Sequence, residues 1–185
     1  MACSNLVLST FKGCNDSQGG IKKVYLANQY LAGGATASFT FGPAISTDNT
    51  DGGTITGLTA NGGAKLFTFV PNKFSSNWTE AVTSNATTGN INNLQTLVMV
   101  FSKNEAAKRN QVKLIAQDDF FAIVEDHNDK LWLLGEVGGM ALSTGAGASG
   151  TLGTDPNGWT ITLIANEKWP AREITGSFSS YISAV

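Results

Sequence analysis

Short runs of apolar residues, most of them alternating with Thr, Ser or Lys, recur along nearly the whole chain, and clusters of Gly, Asn, Asp and Pro separate them. Period-two alternation marks a strand with one covered face. On this pattern strands are predicted at Ile21 to Ala27, Ala37 to Phe41, Thr54 to Leu58 and Lys65 to Val70. In the last of these, Leu66, Thr68 and Val70 alternate with Phe67 and Phe69, so both faces are partly apolar and cover on both sides is expected. Lys73 to Ser84 and Ile91 to Phe101 are expected to pair across Asn85-Ala-Thr-Thr-Gly-Asn90 as a long hairpin with a polar outer part and an apolar base. A lone hairpin is not stable in water, so this one must pack on its own domain or on a neighbouring copy.

One stretch breaks the period. Asn104 is a candidate N-cap, Glu105 puts a negative charge in the first turn, and Ala106 to Gln117 carries strong helix formers. Ala107, Leu114 and Ile115 fall near one face of that helix, with Lys108, Arg109 and Lys113 near the other, and Asp118-Asp119 ends it. Phe120 to Glu125 and Lys130 to Glu136 then read as a hairpin around Asp126-His127-Asn128-Asp129, and Gly138 to Gly158 as a loop of Gly, Ala, Ser and Thr. Trp159 to Ala165 and Glu173 to Phe178 complete the set. No strand and helix alternate in the way a parallel sheet requires. The expected fold is mainly β: two packed antiparallel sheets, sandwich or barrel-like, with one flanking helix around 104–118. A single domain over 1–185 is expected, with an N-terminal arm (1–18) and a C-terminal arm (174–185).

Composition sharpens this reading. Charged residues make up 14% of the chain, about half the ~25% of an average globular protein. The chain nevertheless has 10 Phe and 4 Trp, which a disordered tail lacks. Lys and Arg number 12 against 14 Asp and Glu, which disfavours duplex binding through a basic face. Apolar runs such as Leu97 to Phe101 stop far short of the ~18 residues of a membrane helix, and the N-terminal sequence lacks the basic start of a secretion signal. Cys3 and Cys14 are too few for a four-cysteine zinc site; two reduced thiols and a disulfide between them both stay open.

No catalytic constellation emerges. Gly145-Ala-Gly-Ala-Ser-Gly150 has the letters of a dinucleotide loop, yet Thr151 to Gly158 cannot start the helix that motif needs. Ser149 is not in a nucleophile elbow, and His127 is the single histidine available as a base. His127 lies among turn residues that need no functional explanation, and the acids near it lack the spacing of a calcium loop. Trp78, Trp132, Trp159 and Trp169 are spread over different strands and are expected to face a core or a subunit interface. No enzyme activity, cofactor or metal is expected.

The segments Gly19 to Asn28, Asn104 to Gln117, Leu131-Trp-Leu-Leu-Gly135, Gly158-Trp-Thr-Ile-Thr-Leu163 and Pro170-Ala-Arg-Glu173 resemble structural proteins of tailed bacteriophages, especially those infecting Bacteroidota. The order of strand, helix and hairpin is similar to the tail tube family shared by long-tailed phages and contractile injection systems. The resemblance implies stacked hexameric rings whose joined inner sheets form the channel for DNA ejection, in a virion tail assembled in the host cytoplasm. It implies as partners other copies of the chain, possible tail sheath, baseplate and terminator proteins, and DNA in transient, non-specific passage, with no membrane. Under this reading Thr79, Thr83, Asn93 and Gln95 are candidates to face the lumen. Trp78, Asn85, Asn90, Gly145, Gly147 and Gly150 are candidates for the subunit interface, together with both termini. The alternative is a virion decoration or receptor- or glycan-binding β-sandwich.

Overall fold

A computed structural model describes residues 17–32, 34, 36–44 and 53–183. Over these residues the chain is mainly β, with packed antiparallel sheets, one α-helix and no closed barrel. The strands are β1 (Ile21–Asn28), β2 (Phe39–Gly42), β3 (Thr54–Ile55), β4 (Gly57–Ala60), β5 (Phe67–Phe69), β6 (Asn77–Asn85), β7 (Asn90–Ser102), β8 (Phe120–Asp126), β9 (Leu131–Leu134), β10 (Ala141–Ala148), β11 (Gly158–Glu167) and β12 (Arg172–Ile174). The helix α1 spans Ala106–Ile115 between β7 and β8.

A central sheet runs β3-β12-β9-β8-β1-β5, a second runs β10-β11-β7-β6, and β2 pairs with β4 alone. Two apolar clusters show how they stack. Val24, Leu26, Ala122, Val124 and Leu134 of the central sheet meet Leu97, Met99, Ile161 and Leu163 of the second, with Ile115 of α1 wedged beside them. On the opposite face Tyr25, Ala27, Phe121, Ile123 and Leu133 meet Phe39, Leu58 and Phe178. The central sheet is thus covered on both faces, which is why Phe120 to Val124 is an unbroken apolar run and wholly buried. A third layer, the paired strands β2 and β4 with the chain around Phe178, joins the two sheets that the alternation predicted.

Several boundaries move for local reasons. The predicted strand Thr54 to Leu58 divides: Thr54–Ile55 pairs in parallel with β12, while Gly57–Ala60 crosses to pair with β2. Gly176 permits this crossing, since a Cβ there would fall onto the Thr56 carbonyl. The described part of the expected C-terminal arm, Ile174 to Ser183, lies against the domain. From β12 it folds back, Phe178 is buried, and the Tyr181 carbonyl accepts from the Leu66 N–H at 2.9 Å. At the helix start Glu105, not Asn104, occupies the N-cap and makes no side-chain cap bond. Asn104 Oδ1 instead accepts from Trp159 Nε1 at 3.0 Å.

The largest difference lies in Gly138 to Gly158, predicted as a loop: Ala141–Ala148 is a strand antiparallel to β11, with a bulge between Leu142 and Thr144. Gly147 is needed there. A Cβ would meet the Trp159 ring at 2.8 Å, so the indole lies across the strand where a side chain would otherwise stand.

A charge-free sheet face as the candidate functional site

Strand parity builds the site. In β7 the buried positions are Asn93, Gln95, Leu97 and Met99, which places Asn92, Leu94, Thr96, Val98 and Val100 on the outer face. The β6–β7 register pairs Thr79 with Thr96, Ala81 with Leu94 and Thr83 with Asn92 on that outer face. The β7–β11 register adds Thr160, Thr162, Ile164 and Asn166. Thr144 and Ala146 of β10 stand opposite Thr162 and Thr160 and complete the surface. No ionisable side chain lies on it: Glu80 and Glu167 are the only ones in the four strands, and both point inward.

Both inward carboxylates are bound. Glu80 Oε1 accepts from the Ala171 N–H at 2.8 Å and from Gln95 Nε2 at 3.2 Å. Gln95 Oε1 accepts in turn from the Gly135 N–H at 2.9 Å. Glu167 Oε1 accepts from the Gly138 and Val137 N–H groups at 2.8 and 3.1 Å. Burial pushes the Glu167 carboxyl above the ordinary glutamate range, and those two bonds only partly offset it. These side chains tie the turn after β9 to the inner face of the second sheet.

The four predicted lumen residues therefore do not share a face. Thr79 and Thr83 are exposed on the outer surface, whereas Asn93 and Gln95 are 1% and 2% exposed, inside the molecule. Asn93 Nδ2 donates to the Lys168 carbonyl at 2.8 Å. The signal that separates them was present: Asn93 and Gln95 share parity with Leu97 and Met99 of the apolar base. The outward-facing residues that went unnamed, Thr96, Thr160 and Thr162, carry the opposite parity.

The predicted interface residues fall in three places. Trp78 turns inward and packs against Trp132 of the central sheet, ring centroids 5.5 Å apart. Asn85 and Asn90 close the β6–β7 hairpin as its last pair and are exposed. Asn85 Oδ1 accepts from the Thr87 N–H at 2.9 Å and so shapes the tip. Gly145 and Gly147 belong to β10, which together with β6 forms the two edges of the sheet. Gly150 leaves β10 in the left-handed region, φ 74°, and opens a turn in which Asp155 accepts from the Thr151 and Leu152 N–H groups. A strand and this turn, with no helix, follow the letters of the dinucleotide motif.

The remaining candidates make local contacts. His127 sits at the β8–β9 turn with its ring 4.9 Å from that of Phe74. Asp126 Oδ1 accepts from the Asn128 and Lys130 N–H groups, so it holds the turn and does not orient the imidazole. Among the described residues no three of His, Cys, Asp and Glu gather as a metal site, and no helix is long and apolar enough to cross a membrane. Cys3, Cys14 and the proposed N-terminal arm up to residue 16 lie outside the described residues. A scan against protein-family models found no match for the chain, nor did searches of curated proteins and of solved structures.

Proposed function

We propose that this chain is a structural subunit that builds a tube from copies of itself, of the kind found in bacteriophage tails. The observation that carries the reading is the second sheet: a broad face without charge, bounded by two edge strands of nine (β6) and eight (β10) residues. Long edge strands are usually blunted by Lys or Pro. Neither residue occurs in β6 or β10; the inward charge on β6, Glu80, is absorbed by Ala171 and Gln95, and the bulge between Leu142 and Thr144 interrupts only the start of β10. Edges left in this state suit pairing, and joining β6 of one copy to β10 of the next would continue the sheet around a ring and remove both. The charge-free face would then line the channel, where Thr, Asn and Ala offer phosphates no cation to bind.

Electron microscopy of the purified protein tests this. Rings or tubes are the expected result, and removal of residues 85–90 at the hairpin tip should stop their growth. Particles that stay monomeric at high concentration, or a virion location on the head, would overturn the proposal.

A further inference from the structure

Two open apolar surfaces stand at opposite sides of the molecule. The first is the end of the β6–β7 hairpin. β11 accompanies β7 only as far as Asn93, so from the Val82–Asn93 pair outward the hairpin overhangs the sheet. Val82 keeps the inward parity of Trp78 and Glu80, and Ile91 that of Asn93 and Gln95, yet they are 62% and 59% exposed. The second is a groove of about 420 Å3 between β5 and the end of α1, with Phe67 and Phe69 on one side and Leu114 and Ile115 on the other. Phe67 is 52% and Leu114 55% exposed. Asp118 at its margin is the one ionisable group among the described lining residues, and it accepts from Asn28 Nδ2.

The topology keeps the two apart within one copy and brings them together between copies. Every pairing in the order β10-β11-β7-β6 is antiparallel, so the edge strands β6 and β10 run in opposite directions. When β6 of one copy joins β10 of the next, with the copies in one orientation, the hairpin end of β6 therefore lies beside the start of β10. The groove opens at that start. Met140, directly before β10, bridges Phe120, which lines the groove. On the inner face of β10 a Cβ at Gly145 would come 3.3 Å from Val112, so α1 runs beneath that strand.

Resting on the tube reading above, we infer that Val82 and Ile91 of one copy seat in the β5–α1 groove of the next. The contact is head-to-tail: each copy offers a hairpin on one side and a groove on the other, so a closed ring leaves neither open. Apolar atoms meet there with no charge between them, as in the centre of an interface; from Ala81 to Asn92 the hairpin has no ionisable residue. The contact also supplies what the edges lack. β10 reads Ala-Leu-Ser-Thr-Gly-Ala-Gly-Ala, and a strand so poor in large side chains specifies its register weakly, whereas two large side chains in one groove fix it.

A charge pair split between two variants of the full chain tests the contact. Leu114→Lys and Val82→Glu each alter an exposed position, so each monomer should keep the parent's circular dichroism. Alone, each should raise the concentration needed for assembly in sedimentation by at least about tenfold, because the new charge is buried against apolar atoms. Mixed in equal amounts, the two should assemble near the parent's concentration: in alternating order every contact is either the parental one or a lysine against a glutamate. Variants that each assemble like the parent, or a mixture that assembles no better than either alone, would overturn this inference, while parental tubes in electron micrographs would leave the tube reading standing. Rescue in the mixture, with a parent that associates but never forms rings or tubes, would uphold the contact and sink the tube reading alone. A parent that stays monomeric would sink both.

Discussion

At the scale of single residues, the inward polar groups are the most informative. Glu167 is 4% exposed and its carboxyl titrates above the ordinary value because burial penalises the charged form. The folded state therefore holds a proton that the unfolded chain releases at lower pH. Its stabilising effect is full below the ordinary glutamate pKa and is lost as pH rises through the raised folded value. Glu167→Gln keeps an oxygen for the Gly138 and Val137 N–H groups and removes the ionisation. The variant should melt no lower than the parent at neutral pH, and its advantage should vanish in acid; thermal melts of both proteins across that range check this. Tyr25 gives a second test. Its O–H donates to Glu125 Oε2 at 2.8 Å, and burial with that bond pushes the phenol up to about 12. Tyr25→Phe should cost about 1 kcal/mol in denaturant unfolding. The parent should also lose stability from about pH 10 towards 12, as the unfolded phenol ionises and the folded one does not.

Among the elements, β10 is where pattern and structure part. Its sequence Ala-Leu-Ser-Thr-Gly-Ala-Gly-Ala carries almost no β-branched or large residues, so intrinsic preference speaks for a loop. What makes it a strand is tertiary: β11 offers a full edge, Val112 of α1 approaches Gly145, and the Trp159 ring fills the space above Gly147. Gly147→Val should displace that ring and cost about 1–3 kcal/mol, visible as a lower melting temperature and altered tryptophan emission. Gly158→Ala should be worse, on the order of 3 kcal/mol, because its Cβ would fall onto the Phe101 carbonyl, which belongs to a paired strand and cannot swing away. Elsewhere the sequence was a good guide. The β6–β7 hairpin and its tip, the β8–β9 hairpin and the presence of α1 follow from periodicity and turn residues alone. The division of Thr54 to Leu58 between two sheets did not, since nothing local distinguishes a strand from two short strands that change partners at Thr56.

For the whole molecule, the sparse charge of the sequence acquires a location. A surface poor in Lys, Arg, Asp and Glu could have been thin in charge everywhere; instead one entire sheet face has none, and the charged pairs lie elsewhere, as in Lys22 with Glu125 and Asp129 at 2.8 and 2.7 Å. The face was partly legible beforehand, in Thr79 and Thr83, and partly misread, because a hairpin whose pairs join odd positions to even ones sends Asn93 and Gln95 the other way. Its role can be decided by adding charge where there is none. Thr96 and Thr160 stand on the outer face of the two central strands, β7 and β11, so Thr96→Lys with Thr160→Lys should leave the monomer fold unchanged by circular dichroism. If the face lines a channel, the variant should still form tubes, because the paired edges are untouched. Those tubes should now retain duplex DNA, with binding that weakens steeply as salt rises, since each neutralised phosphate releases a counterion. If the face is instead a contact between copies, burying two lysines without partners should cost several kcal/mol per contact and abolish assembly altogether. Sedimentation of the variant with and without DNA at two salt concentrations separates these outcomes, and tubes that ignore DNA at low salt would show that the face points away from any lumen.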